Sequence, residues 1–80
     1  MENVLGRVQK VFNSTFDVDP RVVTLHTVPE DIPGWDSMGH VTLANSLEQE
    51  FHVNLDVDEL MEMENVREIV RILGAKLGSK

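Results

Sequence analysis

The chain has no cysteine and no tyrosine, and only one tryptophan and three prolines in 80 residues. The missing cysteine excludes disulfides and thiolate metal sites, and it leaves the polypeptide without a thiol of its own. No apolar run approaches the length of a membrane span. The start alternates apolar with charged residues in place of a secretory apolar run, so a soluble cytoplasmic protein is expected. Positive charge is absent from a whole stretch. No Lys or Arg occurs between Val22 and Val66, where Glu30, Asp31, Asp36, Glu48, Glu50, Asp56, Asp58, Glu59, Glu62 and Glu64 all lie. Such a stretch repels nucleic-acid phosphate and anionic lipid. It favours encounter with proteins that carry basic patches. Strand-like alternation is missing too, apart from a short extended candidate at Val53-Asn54-Leu55.

What is present is a helical pattern in one domain, residues 1–80. Val4, Leu5, Val8, Val11, Phe12 and Phe16 recur at steps of three and four, which predicts a first helix from about Glu2 to Phe16. Asp17 and Pro20 are expected to end it. A long connection follows, from Asp17 to Asp36. Val22, Val23, Leu25, Val28 and Ile32 are its expected anchors, and Asp19-Pro20 reads as the cap and first position of one short turn. A strongly amphipathic second helix starts at Asp36 or Ser37 and ends near His52, with Met38, Val41, Leu43 or Ala44, Leu47 and Phe51 as its apolar ladder and Glu48 and Glu50 exposed. Asp56 caps a short third helix whose inner face is Leu60, Met61 and Met63. Asn65-Val66-Arg67-Glu68 has the spacing of a capping box and opens the last helix, with Val66, Ile69, Val70, Leu73 and Leu77 inside. Gly78-Ser79-Lys80 reads as a frayed tail. The expected fold is all-α, a four-helix bundle of three longer helices and one short one, with the long loop between the first two.

The stretch Gly34-Trp35-Asp36-Ser37-Met38-Gly39-His40 joins the loop to the second helix. A serine here sits where a helix start offers unpaired N–H groups and the positive end of its dipole. On position alone Ser37 reads either as a cap or as an exposed handle for a phosphodiester. Asp36-Ser37-Met38 resembles the attachment motif of the acyl carrier protein family, Asp-Ser followed by an aliphatic residue. The resemblance runs through the long loop, the ladder of the second helix, Leu47-Glu48-Gln49-Glu50-Phe51, the acidic short helix and the capped last helix. It implies a bundle of acyl-carrier type that carries 4'-phosphopantetheine, derived from coenzyme A, on Ser37. It implies that the protein presents thioester-linked acyl groups to partner enzymes in fatty acid or specialised biosynthesis. The thiol would then belong to the arm, which suits a chain without cysteine.

The implied partners are a phosphopantetheinyl transferase and acyl-loading, elongating or transferring enzymes with basic patches. A monomer is expected, with no nucleic acid partner and no membrane insertion. Partner recognition is placed at Asp36, Met38, Glu48 and Glu59. Asp36 also reads as a helix cap, and Met38 also reads as core packing. An aliphatic cargo is expected to shelter between the second helix, the third and the long loop, with Met61 and Met63 yielding. Two alternatives stand beside this one: an aminoacyl or peptidyl carrier whose cargo stays outside the bundle, and a helical adaptor with no prosthetic group.

Some residues depart from fatty-acid-type carriers. Where those often show acids just after the serine, this chain has Gly39, His40, Thr42 and Asn45. Trp35 and His40 look more like carriers of specialised or nonribosomal-type pathways. Trp35 reads as a loop anchor over the core, or as a contact for the arm. His40 reads as an exposed polar residue. Metal ligation is not expected: the histidines lack ligand spacing, and Asp17-Val18-Asp19 and Asp56-Val57-Asp58-Glu59 lack the glycine and distant glutamate of a calcium loop. Independent catalysis is not expected either, since Ser37 and His40 have no third partner and no nucleophile elbow.

Overall fold

The computed structural model describes residues 3–78. The expected helix start at Glu2 and the tail at Ser79-Lys80 lie outside the described residues. Four helices follow in order: α1 (Val4–Phe16), α2 (Ser37–Phe51), α3 (Val57–Glu62) and α4 (Val66–Gly78). Two 3-10 turns, Pro20–Val22 and Pro29–Asp31, punctuate the long connection. There is no strand among the described residues, and none of the helices is long and apolar enough to cross a membrane.

Local chemistry explains each boundary. Asn3 caps α1 by accepting from the Gly6 N–H at 2.9 Å. Asp17 ends α1 in the left-handed conformation, φ 57°, with its N–H on the Asn13 carbonyl at 3.0 Å. The helix therefore stops before Pro20 is reached, and Pro20 serves to open the first 3-10 turn. Asp19 caps that turn from the Arg21 N–H at 2.8 Å. His52 closes α2 in the same left-handed way, φ 56°. Asp56 and Glu59 form a reciprocal capping box at the start of α3, at 2.8 and 3.1 Å. At α4 only half of the expected box exists. Asn65 accepts from the Glu68 N–H at 2.9 Å, but the Glu68 carboxylate goes to Arg71 at 2.7 Å. Gly78 is still helical, so the fraying expected there is not seen.

α1 packs on α2 and α4, and α3 leans on α4. Phe12, Leu43, Leu47, Met63, Ile69 and Leu73 are fully buried between them. Each such side chain contributes about 1.5–3 kcal/mol through removal from water. Several expected inner positions are corrected. Met38 is 83% exposed and Val41 is also exposed, so α2 is less amphipathic than its ladder suggested. The reason is helical phase: Met38 lies nine residues before Leu47, about half a turn out of register with it. Met61 points to solvent on α3, and Ile72, not counted inside, is buried on α4.

In the long loop Val23 and Ile32 are buried, whereas Val22 and Leu25 are exposed. Val23 leaves its turn in extended conformation, where neighbouring side chains point to opposite sides. Two polar residues fasten this loop. The Gln9 side-chain amide donates to the Val23 carbonyl at 2.8 Å. Thr27, buried, donates its hydroxyl to the Val22 carbonyl at 2.9 Å, and its own carbonyl accepts the Val66 N–H at 3.1 Å. The loop is thereby tied to α1 and to the first turn of α4.

Candidate functional site

The site forms where the loop meets α2. Gly34 turns the chain at φ 91°, a conformation that L side chains rarely adopt. The turn lies directly against the first turn of α2. A Cβ on Gly39 would overlap the Gly34 carbonyl oxygen and come 3.1 Å from Phe16 Cε1. Glycine at position 39 is thus a condition of the approach.

The next residue, Trp35, is driven into the core. It is 5% exposed, with its ring edge-on to Phe12 at 5.0 Å and stacked on Phe16 at 6.5 Å. The loop-anchor reading of Trp35 agrees with this placement.

Asp36 caps α2, its Oδ1 accepting from the Gly39 N–H at 2.9 Å and its carbonyl from the His40 N–H at 2.7 Å. Ser37 is the first residue of the helix and is exposed. Because Asp36 supplies the cap, no hydrogen bond among the described residues engages the Ser37 hydroxyl. Of the two positional readings of Ser37, capping is taken by its neighbour. The hydroxyl stands at the positive end of a fifteen-residue helix, where an anion is favoured.

His40 corrects its expectation as an exposed polar residue. Trp35 Nε1–H donates to His40 Nδ1 at 2.9 Å, and His40 Nε2 lies 2.8 Å from the Leu60 carbonyl oxygen. A carbonyl only accepts, so Nε2 carries the proton and Nδ1 is the acceptor; one neutral tautomer satisfies both contacts. The two rings are nearly parallel, 6.2 Å apart. This bridge runs from the loop through α2 to α3. Its signal was present in the sequence: His40 lies seven residues before Leu47, about 20° from it around the helix, and so faces inward.

A groove of about 540 Å3 opens beside Ser37. Pro29, Trp35, Leu60, Met61 and Met63 give it an apolar lining, and Asp36, Ser37, His40 and Glu64 give the polar part. Spacing along the chain could not have shown that Pro29 and Glu64 meet there, because the loop and the end of α3 come together only in the fold.

The residues expected to recognise partners divide. Asp36 and Met38 flank Ser37. Glu48 stands eleven residues along the helix, about 16 Å at 1.5 Å per residue, and its carboxylate accepts the Leu55 N–H at 2.8 Å. Glu59 is bound into the α3 capping box and pairs with Lys76 at 2.9 Å. Glu50, expected to be exposed, is half-buried and pairs with Arg7 at 3.1 Å. The fold thus turns part of the acidic stretch inward, onto bases from α1 and α4.

Comparison with known proteins agrees with this geometry. A family model described as a phosphopantetheine attachment site matches residues 6–73. The solution structure of a holo acyl carrier protein from Geobacter metallireducens superimposes with a TM-score of 0.84 at 32% identity, covering 95% of this chain and 87% of that one. The non-reducing polyketide synthase pkdA of Emericella nidulans is 28% identical over 75 residues, or 94% of this chain. The chain spans 3% of that synthase's length.

Proposed function

Since the chain belongs to the phosphopantetheine-attachment family, whose members hold the group covalently, we propose that Ser37 is the attachment residue and that the protein carries acyl intermediates as thioesters. The observation that carries this reading is the Ser37 hydroxyl itself: exposed, first in its helix, and released from capping by Asp36. The surrounding residues fit a phosphodiester. Asp36 takes the Gly39 and His40 N–H groups, which leaves the Ser37 and Met38 amides and the helix dipole for an anion, and the groove opens beside Ser37. When attached, the arm supplies the thiol that this cysteine-free chain lacks.

The rest is done by the chain's own residues. With coenzyme A as donor, Ser37 Oγ would bond to the pantetheine-side phosphorus as the pyrophosphate P–O bond breaks. Adenosine 3',5'-bisphosphate would leave, and the hydroxyl proton would pass to a base on the transferase. Asp36 keeps the helix start in place while this happens. Exposed Met38 offers a soft apolar contact to the transferase and to enzymes that load or unload the arm. The likeness to a stretch of a polyketide synthase supports a specialised pathway, as does the replacement of acids after Ser37 by Gly39, His40, Thr42 and Asn45.

The test is intact-protein mass after incubation with coenzyme A and a broad-range phosphopantetheinyl transferase. The expected result is one added arm on the native chain and none on Ser37→Ala, with Ser37→Ala folded and its stability within about 0.5 kcal/mol of native, as for an exposed position. A folded native chain that gains no mass would leave the adaptor reading in its place.

A further inference from the structure

The polar bridge Trp35–His40–Leu60 crosses from α2 to α3 in the lining of the groove. Trp35 and His40 line the groove, and so does Leu60, whose carbonyl takes the bond from His40. Met63 lines the groove as well and is 1% exposed, so it marks the boundary between groove and core. Leu43, Leu47, Val66 and Ile69 share the core with Met63 and have no solvent exposure. A chain entering the core from Ser37 past His40 would part His40 from Leu60 or Trp35 from His40. Either break leaves a half-buried donor or acceptor without its partner, which folded proteins avoid. Parting Trp35 from His40 would also lose the stacking of their two rings.

We propose that this bridge bars the core to cargo, and that the protein carries short acyl groups, which rest in the open groove outside the bundle, in place of long alkyl chains threaded between α2 and α3. This rests on the carrier reading of Ser37. It departs from the sheltered aliphatic chain expected from sequence. That expectation took Met61 as yielding interior packing, whereas Met61 is 70% exposed and belongs to the outer side of the groove.

The test loads methyl-labelled protein with acetyl- and with octanoyl-coenzyme A through a broad-range transferase. Mass gain scores attachment separately, so failure of the carrier reading is distinct from failure of the cargo proposal. Methyl spectra of Leu43, Leu47, Val66 and Ile69, none of which lines the groove, then report on the core. The expected result is that these signals superimpose for the acetyl and octanoyl forms, while the Met61 methyl shifts with octanoyl. Octanoyl-dependent shifts of Leu43 and Ile69 would overturn the proposal. In His40→Ala, octanoyl but not acetyl is expected to move the core methyls. Trp35→Phe keeps an aromatic ring but removes the N–H donor, and it is expected to behave in the same direction. If both variants fold and exclude the octanoyl chain as the native protein does, the bridge is not the barrier and the proposal falls.

Discussion

Gly39 and Gly74 make a paired test of how tertiary contact overrides helix propensity. Both lie inside helices, α2 and α4. Propensity alone favours alanine over glycine by about 1 kcal/mol in a helix interior. At Gly74 a new Cβ meets nothing within 4 Å. Gly74→Ala is therefore expected to stabilise by about 0.5–1 kcal/mol. At Gly39 the same methyl overlaps the Gly34 carbonyl oxygen and falls 3.0 Å from the Gly34 carbonyl carbon and 3.1 Å from Phe16 Cε1. The first two are backbone atoms of a turn held at positive φ, so they cannot swing aside as a side-chain tip does. Over-packing of this kind costs about 1–3 kcal/mol, which exceeds the propensity gain. Gly39→Ala is expected to be destabilising by about 1–2 kcal/mol, or about 4–16 °C in Tm for a domain of this size. Thermal and urea unfolding, followed by far-ultraviolet circular dichroism and by Trp35 fluorescence, measure both variants. The fluorescence adds a local readout, because the displaced turn carries Trp35. Equal or greater stability in Gly39→Ala than in Gly74→Ala would refute the reasoning.

Three further outcomes are expected. Asp56→Ala removes the acceptor of the α3 capping box and should cost about 1 kcal/mol, seen as faster hydrogen exchange at the Glu59 and Leu60 amides with α1 and α4 protected as before. Arg7 stacks 4.3 Å over the Phe51 ring while donating to the Glu50 carboxylate at 3.1 Å and the Glu50 carbonyl at 2.6 Å. Arg7→Ala should lower stability by about 1 kcal/mol, with Arg7→Lys restoring only part because it loses the planar fork; urea midpoints decide this. Hydrogen bonds from the Arg21 side chain and then its backbone hold the Asp19 carboxyl below its ordinary value. A depressed carboxyl contributes stability above its unfolded-state pKa and loses it as pH falls through the folded one. A carbon-13 titration of Asp19 should show a low midpoint that rises in Arg21→Ala, and an unchanged midpoint would remove the guanidinium as the cause.

The helices were legible because their signals are local. Asn65 followed by Glu68, Asp56 followed by Glu59, and the steps from Val4 to Phe16 act within a turn or two of chain. Where the reading of α2 failed, the failure was one of phase. Spacing alone puts Val41 inside and leaves Met38 between core packing and an exposed partner contact, while polarity alone puts His40 outside although it shares the phase of Leu47. A polar residue on the inner phase is placed by finding its partner, and Leu60 lies twenty residues away in sequence. The acidic stretch likewise reads as one exposed field, yet α4 brings Lys76 to Glu59 and α1 brings Arg7 to Glu50 in half-buried pairs.

By itself the sequence determined the helical segments, the N-terminal caps of the last three helices, and a serine at a helix start in a chain with no thiol. Those follow from backbone geometry and from groups no more than about four residues apart. Only the tertiary structure decided that Gly39 tolerates no side chain while Gly74 does, that Glu48 and Glu59 are bound inward, and that Trp35, His40 and Leu60 join across two helices and a loop. Each of these depends on atoms distant in the chain that packing brings within hydrogen-bonding or van der Waals distance, and no period or spacing encodes that distance.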